Sequence, residues 1–306
     1  MSHAHGIHLA LGAFDGVHLG HRAVLHSARD AARRDHGQVG VMTFDPHPSK
    51  VLRPEAAVPL ILNRAQKDER LTEAGAEFIH HQAFTLQHAA MEAADFPAWL
   101  LHTFKGLRSL HVGANFRYGQ GRAGDGESLV RDGGRLGLAV NLIAPVQLDG
   151  AAVSSSRIRA ALHHGDLALA NRLLLRPYES TGSIIDGRRI GRTLDFPTLN
   201  LPWNPELRPA FGVYAVELVT DEGLAEPGVA NWGLRPTVES APVEPLLETH
   251  LLRPAGPMPA TGSVVRIRWL HFLRREQKFA DLAALRAQIA EDAESARAIH
   301  GLAGGR

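Results

Sequence analysis

Apolar and polar positions in the first half of the chain fall into two alternating rhythms. Ile7 to Gly12 (IHLALG) is a short apolar run, followed by a glycine-rich turn, AFDGVHLGH, and then by helical spacing from about His21. The same order recurs. Val39 to Phe44 (VGVMTF) ends at DPHP, Arg108 to Gly113 (RSLHVG) ends at ANFRYG, and Leu138 to Ile143 ends at a proline loop, with helical segments between them. Short apolar runs separated by helices fit strands buried on both faces, because crossover helices cover both sides of a parallel sheet. The pattern predicts an α/β domain whose functional loops lie at the carboxyl ends of its strands.

Beyond Arg159 a helical stretch, AALHHGDLALANRLL, runs to the RPY at Arg176 to Tyr178, and there the rhythm changes. From Ser180 onward, glycine and proline punctuate short alternating segments: Gly212 to Val219 (GVYAVELV), Leu246 to Leu252 (LLETHLL) and Ser263 to Phe272 (SVVRIRWLHF). Such spacing predicts an all-β unit, an antiparallel barrel. From Phe279 to Ile299, apolar Leu282, Leu285, Ile289 and Ala293 recur at helical intervals, predicting a closing helix. Two domains are expected, 1–177 and 178–306, in keeping with a length of 306 residues, near which a single core stops growing.

Composition narrows the function classes. Hydrophobic residues make up 44% and charged residues 21%, as in ordinary globular proteins, and the formal charge of +1 offers no basic field to draw the chain onto nucleic acid. Any anion must be held locally. No apolar run approaches the roughly 18 residues a membrane-spanning helix needs, and Met1 to Ala10 lacks a basic start, so a cytoplasmic location without membrane attachment is expected. The absence of cysteine excludes disulfides, thiolate nucleophiles and cysteine-ligated zinc. Histidine is abundant at 18 copies, but the pairs His80/His81 and His163/His164 are adjacent residues that point in different directions. No HExxH spacing accompanies them, and they are expected to be solvated surface residues.

The segment GAFDGVHLGH, Gly12 to His21, is the most informative. It contains Phe14, Asp15 and Gly16, and it puts His18 and His21 three residues apart across Gly20 at a helix start, where backbone amides and the helix dipole favour a phosphate. An ordinary turn with surface histidines would account for a bare HxGH. Two further loops change the balance: SSSRIR offers the hydroxyls of Ser155 and Ser156 and the guanidiniums of Arg157 and Arg159, and VGANFRYG puts the Asn115 amide beside Phe116. Together at strand ends of one sheet they make a triphosphate pocket the better account. Adenylyl transfer onto a phosphate ester fits this inventory, since the attacking oxygen is already ionised and the protein has only to position reactants and offset charge. His18 and His21 would donate to the α-phosphate, with Arg157 or Arg159 and a metal ion on the leaving pyrophosphate.

In the second half, GRRIGRTLDFPTLNL joins a glycine and arginine loop (Gly187, Gly191, Arg192) to Thr198 and Asn200, whose oxygens suit Mg2+ and a phosphate. Alone it would be a barrel turn. Glu248 lies within an apolar alternating strand, where a carboxylate needs a reason unless it faces solvent on an edge.

In this order and at these separations, GAFDGVHLGH, TFDPHP, VGANFRYGQGRAGD and SSSRIR resemble the FMN adenylyltransferase half of bacterial bifunctional riboflavin kinase/FAD synthetases, a Rossmann-like HIGH-type nucleotidyltransferase domain. The GR..L.FPT.N signature, FGVYAVEL, GVANWGLRPTV, the Glu248 strand and FLRREQKF with its trailing helix resemble the riboflavin kinase module. The resemblance runs from about Gly12 to Arg297. It implies ATP at the histidine and serine/arginine motifs, flavin near Pro46, His47, Pro48, Asn115 and Phe116, and Mg2+ and phosphates at Thr198 and Asn200. It also implies that Glu248 is the base for the neutral riboflavin hydroxyl, and that Arg274 and the closing helix hold flavin. Riboflavin, FMN, FAD and ATP are then the partners of a monomer or weak homo-oligomer. Asn115 stands where many members carry Asp, Leu175 and Asp195 stand where glycine is usual, and Arg275 stands where an acidic residue is frequent. The alternatives are a monofunctional FMN adenylyltransferase with a decayed kinase barrel and a flavin- or nucleotide-binding regulator without turnover. A role in tRNA handling lacks an anticodon-binding or basic domain.

Overall fold

Five parallel strands form the first sheet: β1 (Ile7–Leu11), β2 (Gln38–Asp45), β3 (Phe78–Ala83), β4 (Leu107–Gly113) and β5 (Ala139–Ile143), in the order β3-β2-β1-β4-β5. In the computed structural model, which describes residues 6–187, 196–234, 245–254 and 256–302, this sheet belongs to the first of two compact units, Met1–Ser155 and Ser156–Arg306. Leu9, Leu11, Met42, Leu110 and Val112 from the central strands pack with Leu100 and Phe104 in its core. Strand order reverses between β1 and β4, which opens a crevice at the carboxyl ends where GAFDGVH leaves β1, DPHP leaves β2 and ANFR leaves β4. The four predicted strands are all present. The fifth, β3, is a half-buried edge strand of sequence FIHHQA that gives no continuous apolar run. On it His81 departs from the expected solvated state: its side chain is 11% exposed and lies 2.9 Å from Asp68. His163 and His164 are exposed as expected.

A buried polar chain ties the first long helix, α1 (Leu19–Asp35), to the sheet beneath it. Asp35 Oδ1 lies 2.9 Å from His8 Nε2, and His8 Nδ1 lies 2.7 Å from Ser109 Oγ. Ser109 Oγ then meets His111 Nε2 at 2.7 Å, and His111 Nδ1 meets Ser27 Oγ at 2.9 Å. Burial, with the charges of His8 and Arg34, drives the His111 imidazole down to about 4 from an ordinary 6.5. Between these values the unfolded chain binds a proton that the folded chain refuses, so stability is complete above pH 6.5 and is lost as pH falls toward 4, by roughly 3 kcal/mol. Urea unfolding at pH 7 and pH 4.5 checks this: His111→Asn should be less stable at pH 7 but lose less on acidification than the unmodified protein.

In the second unit, the helical stretch predicted after Arg159 is two helices, α7 (Ser155–His164) and α8 (Leu167–Leu174), if the short helices α2 (Pro48–Leu52) and α4 (Leu86–Ala89), with α3 (Arg64–Glu73), α5 (Phe96–Thr103) and α6 (Gly126–Arg135), are counted before them. Gly165 takes a φ of +80° between them, and Asp166 caps α8 by accepting from the Leu169 amide. Leu175 ends α8 in the left-handed region at φ +57° with its side chain 53% exposed. This is the position where the resemblance expects glycine, and the reason is steric, since a β-carbon costs about 1–2 kcal/mol there. Leu175→Gly should therefore raise stability by about 1 kcal/mol, read as a higher urea midpoint with an unchanged slope.

After the short hairpin of β6 (Gln147–Leu148) and β7 (Ala151–Ala152), six antiparallel strands follow: β8 (Tyr178–Ser183), β9 (Leu199–Pro202), β10 (Gly212–Thr220), β11 (Ala225–Leu234), β12 (Pro245–Leu251) and β13 (Val264–Arg275), in the order β8-β13-β10-β11-β12-β9. A bridge from Ile185 to Asn200 ties the ends together, so the sheet curls into a barrel. Fully buried Trp232, Trp269, Tyr178 and Tyr214 fill its interior, and the indole N–H of Trp269 donates to Ser180 Oγ at 3.0 Å. The closing helix, α9 (Leu282–Ile299), packs on β10 and β11. Its buried residues are Asp292, Ala293 and Ala296, whereas Leu282 is 66% exposed, so its first turn does not contribute the apolar contact its spacing suggested. Among the described residues no helix is long and apolar enough to cross a membrane.

Candidate functional site

The turn leaving β1 is conformationally strained. Phe14, Gly16 and Val17 all have positive φ, at +50°, +92° and +43°. For the aromatic Phe14 and the β-branched Val17 this is a costly region, of the kind that persists only where the surroundings hold it. The restraints are visible. The buried Asp15 carboxylate accepts from the Ile61 amide at 2.9 Å and the Leu62 amide at 3.3 Å, and the Asp15 carbonyl accepts from Ser155 Oγ at 2.7 Å. Asp15 and Ser155 thus shape the turn, one anchoring the segment before α3 and the other the serine loop.

The strained turn delivers two imidazoles to the start of α1. His18 is its N-cap: Nδ1 accepts from the His21 backbone amide at 3.2 Å, which leaves Nε2 to carry the proton. The His18 and His21 rings stack with centroids 3.6 Å apart and planes 12° from parallel, and Phe14 packs its edge at 5.2 Å from His21. A β-carbon on Gly20 would come within 3.2 Å of the His18 ring. Burial, then the neighbouring His18 and then Lys67, hold His21 well below its ordinary value, so it offers a neutral N–H. His21 Nδ1 is buried with no hydrogen-bond partner.

The other loops of the crevice follow from the parallel sheet. Pro46 is exposed, His47 caps α2 by accepting from the Ser49 amide at 3.2 Å, and Pro48 opens that helix. Exposed Asn115 leaves β4 close over Gly113, and Phe116 stacks on Tyr118 with ring centroids 5.9 Å apart. Gly12 is not strained and packs against the Phe14 ring. Ser156 and Arg157 lie in the first turn of α7, Arg159 in its second, and all three belong to the second compact unit.

In the barrel, register does the assembly. Asn200 on β9 is opposite Glu248 on β12, and Glu248 is opposite Asn231 on β11, so three polar side chains form a row on one face of the sheet. Residues flanking Glu248, Leu247 and Thr249, turn to the other face and are buried. A β-carbon on Gly187 would overlap the Asn200 amide, so the backbone there passes close over that side chain. Thr198 is half-buried just before β9, and the preceding Pro197 carbonyl accepts from His250 at 2.9 Å. Gly191, Arg192 and Asp195 lie outside the described residues. Arg274 makes a two-pronged pair with the buried Asp292 of α9, at 2.8 Å and 2.7 Å, which fastens the closing helix to β13. Arg275 is exposed. Glu276 hydrogen-bonds Asn231, and its carboxyl is pushed up first by desolvation and also by the charge of Glu248.

The two sets of residues occupy two different family matches: the FAD synthetase family over residues 1–157 and the riboflavin kinase family over residues 174–300. A curated relative named bifunctional riboflavin kinase/FMN adenylyltransferase, from Escherichia coli, is 38% identical over 97% of this chain and 94% of its own length. The chain belongs to the bifunctional riboflavin kinase/FMN adenylyltransferase family. It is an enzyme of flavin cofactor biosynthesis. A relative of the same name from Bacillus subtilis is 34% identical, covering 94% of this chain and 90% of its own. A crystal structure titled as a macrolide-efflux protein from Streptococcus pneumoniae has a TM-score of 0.86 and 28% identity, with 97% of this chain and 95% of that chain covered.

Within this family member, sequence reasoning passed over Lys67, Asn231, Glu276 and Asp292. Asn231 and Glu276 stood inside segments quoted for their resemblance, GVANWGLRPTV and FLRREQKF, but only strand register brings them to Glu248. Asp292 gave a weak signal, as an acidic residue beside an alanine face.

Proposed function

We propose that residues 1–177 transfer AMP from ATP to FMN and that residues 178–306 phosphorylate riboflavin, both with Mg2+ accompanying ATP in a cytoplasmic enzyme. The observation that carries the first assignment is the stacked His18 and His21 pair at the N-terminus of α1, with a buried ring nitrogen lacking a protein partner. An FMN phosphate oxygen attacks the α-phosphorus, the bond from the α-phosphorus to the bridging oxygen breaks, and pyrophosphate leaves. The attacking oxygen is ionised, so no base is needed, and the two imidazoles act as N–H donors to charge that builds on the α-phosphate. Gly12, Gly16 and Gly20 give the phosphates close approach, and Arg157 and Arg159 offset the leaving charge.

In the kinase half a neutral ribityl hydroxyl attacks the γ-phosphorus and ADP leaves, so one proton must be taken up, and Glu248 takes it. Support comes from the row of Asn200, Glu248 and Asn231 and from the glycine that roofs Asn200. Mg2+ prefers oxygen ligands, and the Asn200 side chain, roofed so closely by Gly187 that a β-carbon would fill the gap, fits such a role beside the Thr198 hydroxyl. When bound, the ion neutralises phosphate charge. The test is to incubate the purified protein with riboflavin, ATP and Mg2+, and in parallel with FMN, ATP and Mg2+, and to separate the flavins. FAD from both mixtures is expected. FAD from FMN alone would leave only the transferase half active, and no product from either would leave a binding protein.

A further inference from the structure

Lys67 on α3 is a cation that neither proposed reaction uses. Its ammonium donates to Thr43 Oγ1 at 3.2 Å, and the fully buried Thr43 hydroxyl donates in turn to the Ala13 carbonyl at 3.1 Å, inside the histidine motif. That is its single hydrogen bond among the described residues, and no carboxylate there lies within ion-pair distance of it. The nearby acids are engaged elsewhere: Asp15 accepts from the Ile61 and Leu62 amides, and Asp45 pairs with Arg64 at 2.9 Å. Desolvation lowers the lysine from its ordinary 10.5, against the pull of Asp15, Asp68 and Asp45. A half-buried ammonium with donors to spare needs an acceptor. Lys67 lines a pocket with Ala13 on the motif side and His47 on the side of the proline turn, together with Asp15, Asp45 and Arg64. Its charge is also among those that act on His21.

We propose that Lys67 is a substrate-binding residue of the adenylyl-transfer site, its ammonium holding the phosphate of FMN against the α-phosphate of ATP. This rests on the adenylyl-transfer reading above. The reaction brings two phosphate anions into contact, and the neutral His21 provides a hydrogen bond but no positive charge to offset that repulsion. Lys67 supplies it from the Thr43 and Ala13 side, and the hydroxyl of Thr43 fixes its direction.

Steady-state kinetics of FAD formation by the full-length protein test the assignment. Lys67→Met should raise KM for FMN and lower kcat/KM for FMN about 10- to 100-fold, with KM for ATP within threefold and riboflavin phosphorylation by the same preparation unchanged. Lys67→Arg should restore part of the loss, and Thr43→Val should shift KM for FMN in the same direction by less. KM for FMN within twofold of the unmodified value in Lys67→Met would overturn the assignment, as would a defect confined to KM for ATP. If Lys67→Met is poorly folded, Lys67→Gln decides: a KM for FMN within twofold of the unmodified value without the positive charge would overturn the assignment. Absence of FAD from the unmodified protein would instead remove the underlying reaction, and with it this role.

Discussion

His21→Ala is expected to cut FAD formation from FMN by about 10²- to 10³-fold while riboflavin phosphorylation by the same protein continues at its original rate. The expectation rests on where the ring sits. His21 stacks on His18 at 3.6 Å, is held neutral by burial, and keeps a ring nitrogen that no protein atom satisfies. Removing it deletes a donor without orphaning a partner, so the loss should appear in kcat rather than in stability. His18 is a less clean target. Its Nδ1 caps α1, so His18→Ala would also cost about 1 kcal/mol of helix stability. Parallel chromatography of flavins from FMN and riboflavin mixtures separates the two activities, and a full rate of FAD formation in His21→Ala would end the donor role.

The reverse result is expected for Glu248→Gln: riboflavin phosphorylation falls about 10²- to 10⁴-fold and FAD formation from supplied FMN is untouched. Gln keeps the size of the side chain and its place opposite Asn200 and Asn231, so the row of polar residues survives and only proton acceptance is lost. Glu276 sharpens the reading. Its carboxyl is pushed up by desolvation and by the charge of Glu248, so the two acids feel each other, and removing the charge at position 248 should lower the Glu276 value. Riboflavin turnover followed by ADP release measures the rate directly. Undiminished FMN formation by Glu248→Gln would move the base to another group, with Glu276 the nearest candidate.

Local chemistry made most of the scaffold legible. The runs at Ile7, Val39, Arg108 and Leu138 declared a parallel sheet because strands covered on both faces must be apolar throughout, and each is a strand within about a residue of its expected ends. Alternation in GVYAVELV and SVVRIRWLHF declared the barrel in the same way. Where one face is only half covered the signal fades: β3 carries His80, His81 and Gln82 and was passed over. A break inside a periodic stretch is equally quiet, since Gly165 costs a helix little in pattern but takes a φ that ends it.

The candidate chemistry was legible where it is contiguous, as in GAFDGVHLGH, and silent where it is assembled at a distance. By itself the sequence determined the two sheets, the phosphate-type turn at His18 and His21, and the carboxylate at Glu248. Tertiary structure decided that Asp15 and Ser155 hold the turn, that Arg274 is engaged by Asp292, and that Lys67 stands beside the motif through Thr43. The reason is physical. A turn's conformation is set by its own residues. A lone lysine 46 positions beyond His21 acquires meaning only when a folded sheet sets Thr43 and Ala13 beside it, removes its water and leaves it, among the described residues, with no carboxylate at ion-pair distance.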